Sequence, residues 1–197
     1  MTTPARSCLL GAVLWVAWLG ACSSDAPATA DATTAAIADA APDAAASALG
    51  RLFVNEVMPS NTAACADSFG EFDDWVELYN AGATDLDLTG YYVTDDPTAP
   101  MKVQLPAGLI VPAHGFKLLW ADDQIQGVDH LAFKLDAQGE AFAISAPDAT
   151  LIDSIAFGAA TTDVSFARLP DGTGDFASCA TPTCGAANGA SCGTAAR

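Results

Sequence analysis

The chain has 197 residues, with 7 Lys and Arg against 24 Asp and Glu, for a formal charge of −17. A surface that acidic repels phosphate backbones, which argues against direct nucleic-acid binding and favours cations or a basic partner surface; the plainer reading is that the acid keeps an exported protein soluble. Six cysteines in so short a chain fit an oxidising compartment better than a reducing cytosol.

Residues 1–21 read as an export signal. Arg6 supplies the positive charge, and Cys8 to Leu19 (CLLGAVLWVAWL) is an apolar run of a length suited to a cleaved signal and too short to span a bilayer comfortably. The run ends in Leu19-Gly20-Ala21-Cys22, a close likeness to a lipobox, in which small residues enter the peptidase cleft and the cysteine thiol accepts diacylglycerol. On this reading Cys22 becomes the acylated N-terminus of the mature protein, and two or three acyl chains hold it to a membrane where one would be marginal. Ser23 in place of an aspartate favours the outer membrane by analogy with enterobacterial sorting. Residues 22–50 are almost wholly Ala, Asp, Thr, Ser and Pro, with no apolar stripe at helical spacing. They are expected to be a disordered acidic tether that spaces a domain from the lipid surface.

The folded region is expected over residues 51–178. Short β-type segments run Leu52 to Met58, Trp75 to Asn80, Leu86 to Leu88, Tyr91 to Thr94, Leu109 to Val111, Phe116 to Ala121, Leu131 to Lys134, Glu140 to Ser145, Leu151 to Phe157 and Val164 to Arg168. Breakers such as Ala81-Gly82, Asp95-Asp96-Pro97 and Pro112-Ala113-His114-Gly115 separate them, which predicts an all-β sandwich or barrel. Alternation sends Val76 and Leu78 inward and leaves Trp75, Glu77 and Tyr79 on the opposite face. Phe116, Leu118 and Trp120 share one face, as do Leu131, Phe133 and Leu135. In Leu52 to Met58 the alternation fails: Asn55 or Glu56 must share a face with apolar neighbours, and one of them is expected to make a buried hydrogen bond.

Recognisable blocks cover nearly everything beyond the tether. LFVNEVMPSN (Leu52 to Asn61), GEFDDWVELYN (Gly70 to Asn80), DLDLTGYYVTDD (Asp85 to Asp96), LPAGLIVPAHGFKLLWADD (Leu105 to Asp123), FKLDAQGEAFAI (Phe133 to Ile144), LIDSIAFGAATTDVSFARLPDGTGDF (Leu151 to Phe176) and CATPTCGAAN (Cys179 to Asn188) resemble, in order, the bacterial lamin tail domain. The resemblance implies an immunoglobulin-like β-sandwich and a non-catalytic binding or anchoring module of secreted and surface proteins. Eukaryotic relatives contact chromatin, a role that this acidic chain gives no reason to adopt. The expected partners are the membrane, through the lipid, and an envelope protein or polysaccharide; a structural scaffold for a partner hydrolase is the alternative.

Carboxylates cluster at Asp67, Glu71, Asp73, Asp74 and Glu77, at Asp95 and Asp96, and at Asp122 and Asp123. Loops at one end of a sandwich could gather such groups around Ca²⁺, which takes six to eight oxygens, with Asp73, Asp74, Asp95 and Asp96 the first candidates. The bland reading is that they satisfy turn N–H groups. Trp75, Glu77 and Tyr79 offer a sugar or peptide platform unless a neighbouring loop covers them. Catalysis has little footing. His114 sits in a turn and His130 in a polar loop, no Gly-x-Ser-x-Gly elbow occurs, and the two glycines of Asp171-Gly172-Thr173-Gly174-Asp175 fall short of a phosphate loop.

With Cys8 removed and Cys22 lipidated, Cys65, Cys179, Cys184 and Cys192 remain, and four cysteines allow three pairings. The expected pairs are Cys65 with Cys179, joining the early loop to the domain end, and Cys184 with Cys192 closing a tail at 179–197. A zinc site from the same four is the lesser alternative in an exported chain.

Overall fold

The structure, a computed structural model, describes residues 46–189 and Cys192. The expected export signal, Cys22 and most of the expected tether lie outside these residues. Ala48, assigned above to the tether, is fully buried in the core, so folded structure begins slightly before Arg51.

Among the described residues twelve strands follow in order: β1 (Leu52–Met58), β2 (Asp74–Asn80), β3 (Leu86–Asp87), β4 (Tyr92–Thr94), β5 (Val103–Gln104), β6 (Ile110–Val111), β7 (Phe116–Ala121), β8 (His130–Leu131), β9 (Glu140–Ser145), β10 (Leu151–Phe157), β11 (Ser165–Leu169) and β12 (Asp175–Cys179). They form a six-stranded sheet ordered β12-β11-β1-β2-β7-β8, a four-stranded sheet ordered β10-β9-β4-β5, and the small pair β3-β6. All pairings are antiparallel except β7 with β8. The main core unites Val54, Val76, Leu78 and Leu119 of the larger sheet with Val93, Phe142, Ile144 and Ile155 of the smaller one. This is the expected immunoglobulin-like sandwich: period-2 side chains give each sheet one apolar face, and the two faces close on each other. Among the described residues no helix is long and apolar enough to cross a membrane.

Two strands escape the alternation. β5 is only two residues long, and β12 returns from β11 across the Pro170-Asp171-Gly172-Thr173-Gly174 turn, with Arg168 opposite Phe176. The glycine-bearing run thus serves a hairpin. Gly172 has a positive φ of 73°, and a Cβ on Gly174 would lie 2.0 Å from the Leu169 carbonyl atoms.

The irregular pattern of β1 has a clear cause. The register against β2 shifts between Val54 and Glu56, so a β-bulge at Asn55 returns Val57 to the main core and turns Glu56 and Met58 to the other face. Both Asn55 and Glu56, rather than one of them, are fully buried and hydrogen-bonded.

The outer face of the larger sheet is also covered. Met58, Cys65, Trp75 and Trp120 form a second apolar cluster, packed against Leu118 and Cys184. The chain beyond β12 reaches this face because the cysteines pair as Cys65–Cys184 and Cys179–Cys192, with Cα separations of 6.4 and 4.0 Å. The expected pairing of Cys65 with Cys179 and Cys184 with Cys192 is therefore wrong. Cys179, the last residue of β12, forms an antiparallel bridge with Cys192, which leaves Cys184 at the tip of the returning tail to meet Cys65 in the β1–β2 loop.

Candidate functional site

The Trp75, Glu77 and Tyr79 face is not an open platform. Trp75 and Glu77 are fully buried, and the tail lies over them. Gly185 N donates to Glu77 Oε2 at 2.6 Å, while Asn55 Nδ2 donates to Glu77 Oε1 at 3.0 Å. Thr183 donates from N and Oγ1 to Glu56 Oε2 at 3.2 and 2.8 Å, and Ser165 Oγ donates to Glu56 Oε1. Burial raises Glu56 above the usual carboxylate range and pushes Glu77 up to about 8, against the donors that each receives. Tyr79 remains half-buried and stacks on Phe116 at 4.8 Å between ring centroids. The carboxylates of this face hold down the tail. The clue in the sequence was the broken alternation of β1; that a tail 108 residues away would cap Glu77 was not legible.

Carboxylates converge instead at one end of the larger sheet, where the β1–β2 loop meets the β7–β8 loop. One oxygen from each of Asp67, Glu71 and Asp73 lies within 4.8 Å of the others. Asn61 pins their loop by donating to the carbonyls of Cys65 at 2.7 Å and Asp73 at 2.9 Å. Asp163, from the β10–β11 loop, accepts from Thr62 N at 2.7 Å and Ala63 N at 3.0 Å. Asp67 Oδ1 accepts N–H groups from Phe69 and Glu71 at 2.9 and 2.8 Å. From the other loop, Gln126 Nε2 donates to Glu71 Oε2 at 3.1 Å.

Of the first metal candidates, only Asp73 belongs to this convergent group. Desolvation and then the neighbouring charge of Asp122 raise its pKa. Asp74 opens β2 beside it, and burial pushes its carboxyl up to about 6. Asp95 and Asp96 follow β4 in the other sheet. Asp95 pairs with Lys102 at 2.5 Å, and Asp96 Oδ1 accepts Thr98 N at 2.8 Å, the turn-satisfying role of the bland reading. His130, read above as a loop residue, lies in β8 with its side chain almost fully buried and its Nδ1 bonded to Asp122 Oδ2. Asp122 is among the clustered carboxylates and His130 is weighed above for catalysis, but Gln126 carries no local signal, and only the fold brings the β7–β8 loop to the β1–β2 loop.

A third feature is a groove of about 330 Å³ on the smaller sheet, floored by Ala141, Ala143 and Ser145 of β9 and Ser154 of β10 and edged by Pro97 and Leu151. The alternation that sends Phe142 and Ile144 into the core leaves these small side chains outward.

Comparison with known families adds what geometry alone does not. No curated protein matches the chain. A family model described as Lamin Tail Domain matches residues 45–159, which takes in Ala48 and the strands from β1 to β10, whereas β11 and β12 lie beyond the match. With more than half of the sequence covered and the sandwich in place, the chain belongs to the lamin tail domain family.

Proposed function

We propose that this chain is a lipid-anchored, non-catalytic binding module that presents its sandwich at the bacterial cell envelope. The observation that carries the reading is how two carboxylates shifted by burial are used: Glu56 and Glu77 lie beneath the tail, each bonded on both oxygens, where no substrate reaches them. Membership of a family of binding and anchoring domains supports it, and so does the Leu19-Gly20-Ala21-Cys22 sequence at the start of an acidic tether. The groove beside Pro97 favours an envelope protein over a polysaccharide, because its alanines, Pro97 and Leu151 make a mostly apolar lining and Trp75, the larger ring of the aromatic platform, is buried.

The test is capture from solubilised envelopes on the wild-type protein and on Ala143→Trp, which fills the groove. The expected result is one stoichiometric envelope protein, retained by the wild type and lost with the variant. Retention of polysaccharide alone, equal capture by both proteins, or turnover that disappears when one carboxylate is changed would overturn the reading.

A further inference from the structure

We propose that the β1–β2 loop forms a Ca²⁺ site in which Asp67, Glu71 and Asp73 supply carboxylate oxygens, with Gln126 of the β7–β8 loop bordering it through its hydrogen bond to Glu71. Convergent acids alone would be an ordinary acidic surface. What sets this group apart is a set of buried acceptors with no donor: Asp67 Oδ2, Asp73 Oδ2 and Gln126 Oε1. The Asp67 side chain is wholly shielded from solvent, and its Oδ1 already takes two backbone N–H groups. Its Oδ2 faces His130 Nε2 at 3.9 Å, too far for a hydrogen bond, while His130 Nδ1 is committed to Asp122. Buried acceptors of this kind are normally satisfied, and a cation held among the converging carboxylates supplies the positive partner that the Asp67 and Asp73 oxygens lack.

The chemistry of the set selects the ion. Every donor is oxygen, which suits a hard cation, and the Asp122-bound imidazole stands beside the carboxylates rather than among them. Ca²⁺ binds oxygens at about 2.3–2.6 Å, so two ligands of one ion are at most about 5 Å apart. The carboxylate oxygens here lie within 4.8 Å of one another. Mg²⁺ demands near-ideal octahedral geometry and keeps several waters, which three carboxylates on one short loop fit poorly. Asn61 and Asp163 hold the backbone of that loop independently of the ion, so the site is largely formed before binding. The β7–β8 loop and β8 border the site through the Gln126 to Glu71 hydrogen bond and the packing of Phe69 on His130. This proposal does not depend on which partner the groove takes.

The experiment uses the full chain purified in detergent and stripped with chelator, with CaCl₂ and MgCl₂ as the probes. Titration calorimetry is expected to give one Ca²⁺ per chain with Kd of about 10⁻⁴–10⁻³ M, the range of extracellular Ca²⁺ modules. The melting temperature should rise by several degrees with excess CaCl₂ and much less with equal MgCl₂, because a ligand of the native state alone raises apparent stability. Glu71→Gln combined with Asp73→Asn should melt in chelator no lower than the wild type and lose the Ca²⁺ response, whereas Asp95→Asn should keep it. An equal rise with MgCl₂ would reveal general screening of an acidic protein and overturn the proposal. A wild type that ignores CaCl₂, or a Glu71→Gln and Asp73→Asn variant that still responds, would also overturn it.

Discussion

Replacing Cys65 and Cys184 together with alanine should destabilise the domain more than replacing Cys179 and Cys192. The reason is loop length. The first bridge closes 119 residues of sequence and the second closes 13. In the chain-entropy description the loss of the longer crosslink costs about 5 kcal/mol and that of the shorter about 3 kcal/mol. The longer bridge also seats the tail, so its loss loosens Thr183 and Gly185 from Glu56 and Glu77 and adds to the difference. Urea unfolding of the two double variants measures the ordering, and mass mapping of non-reduced peptides reads the pairing directly. Equal destabilisation, or a recovered Cys65–Cys179 peptide, would refute the reasoning.

Other outcomes follow from the same buried face. Glu77 has a folded-state pKa pushed from 4.5 up to about 8, so the native protein keeps a proton that the unfolded chain has lost. Its contribution to stability therefore falls as pH rises from about 4.5 to about 8 and levels off above, with a slope of up to about 1.4 kcal/mol per pH unit. Glu77→Gln should flatten the profile of unfolding free energy against pH in that window, and an unchanged slope would contradict the assignment. Asn55→Ala removes donors to Glu77 and Asp171 and the acceptor of Gly172 N, and should cost on the order of 2–4 kcal/mol in urea unfolding. Gly174→Ala forces a Cβ onto the Leu169 carbonyl and should cost on the order of 3 kcal/mol or more, while Gly158→Ala, which meets nothing within 4 Å, should change stability by less than about 0.5 kcal/mol. Thermal melts of the two variants side by side test the contrast.

Period-2 patterning made most of the sandwich readable, because alternation reports which face is buried. Val76 with Leu78, and Leu131 with Phe133 and Leu135, lie in the main core as their spacing implies. The same rule misled where a second layer was added. Trp75 and Glu77 alternate outward from the core, yet the tail and the β1–β2 loop bury them, and a tail 108 residues away in sequence leaves no trace in the local pattern of β2. Cysteine pairing failed for a related reason: chain order suggests nearest neighbours, whereas the bridge between Cys179 and Cys192 leaves Cys184 at the turn, where it meets Cys65. Part of the carboxylate site was legible, since Asp73 and its neighbours stand together in sequence. Gln126 joins Glu71 only through the docking of the β7–β8 loop.

The proposed attachment is tested most directly at Cys22, by detergent-phase partitioning and intact mass of the protein extracted from cell envelopes. A lipid-anchored module is expected to enter the detergent phase with a mass that begins at Cys22 and includes its acyl chains, and Cys22→Ser should move to the aqueous phase. A wild-type protein that begins elsewhere and carries no lipid, or a Cys22→Ser variant that stays with the membrane, would contradict the account.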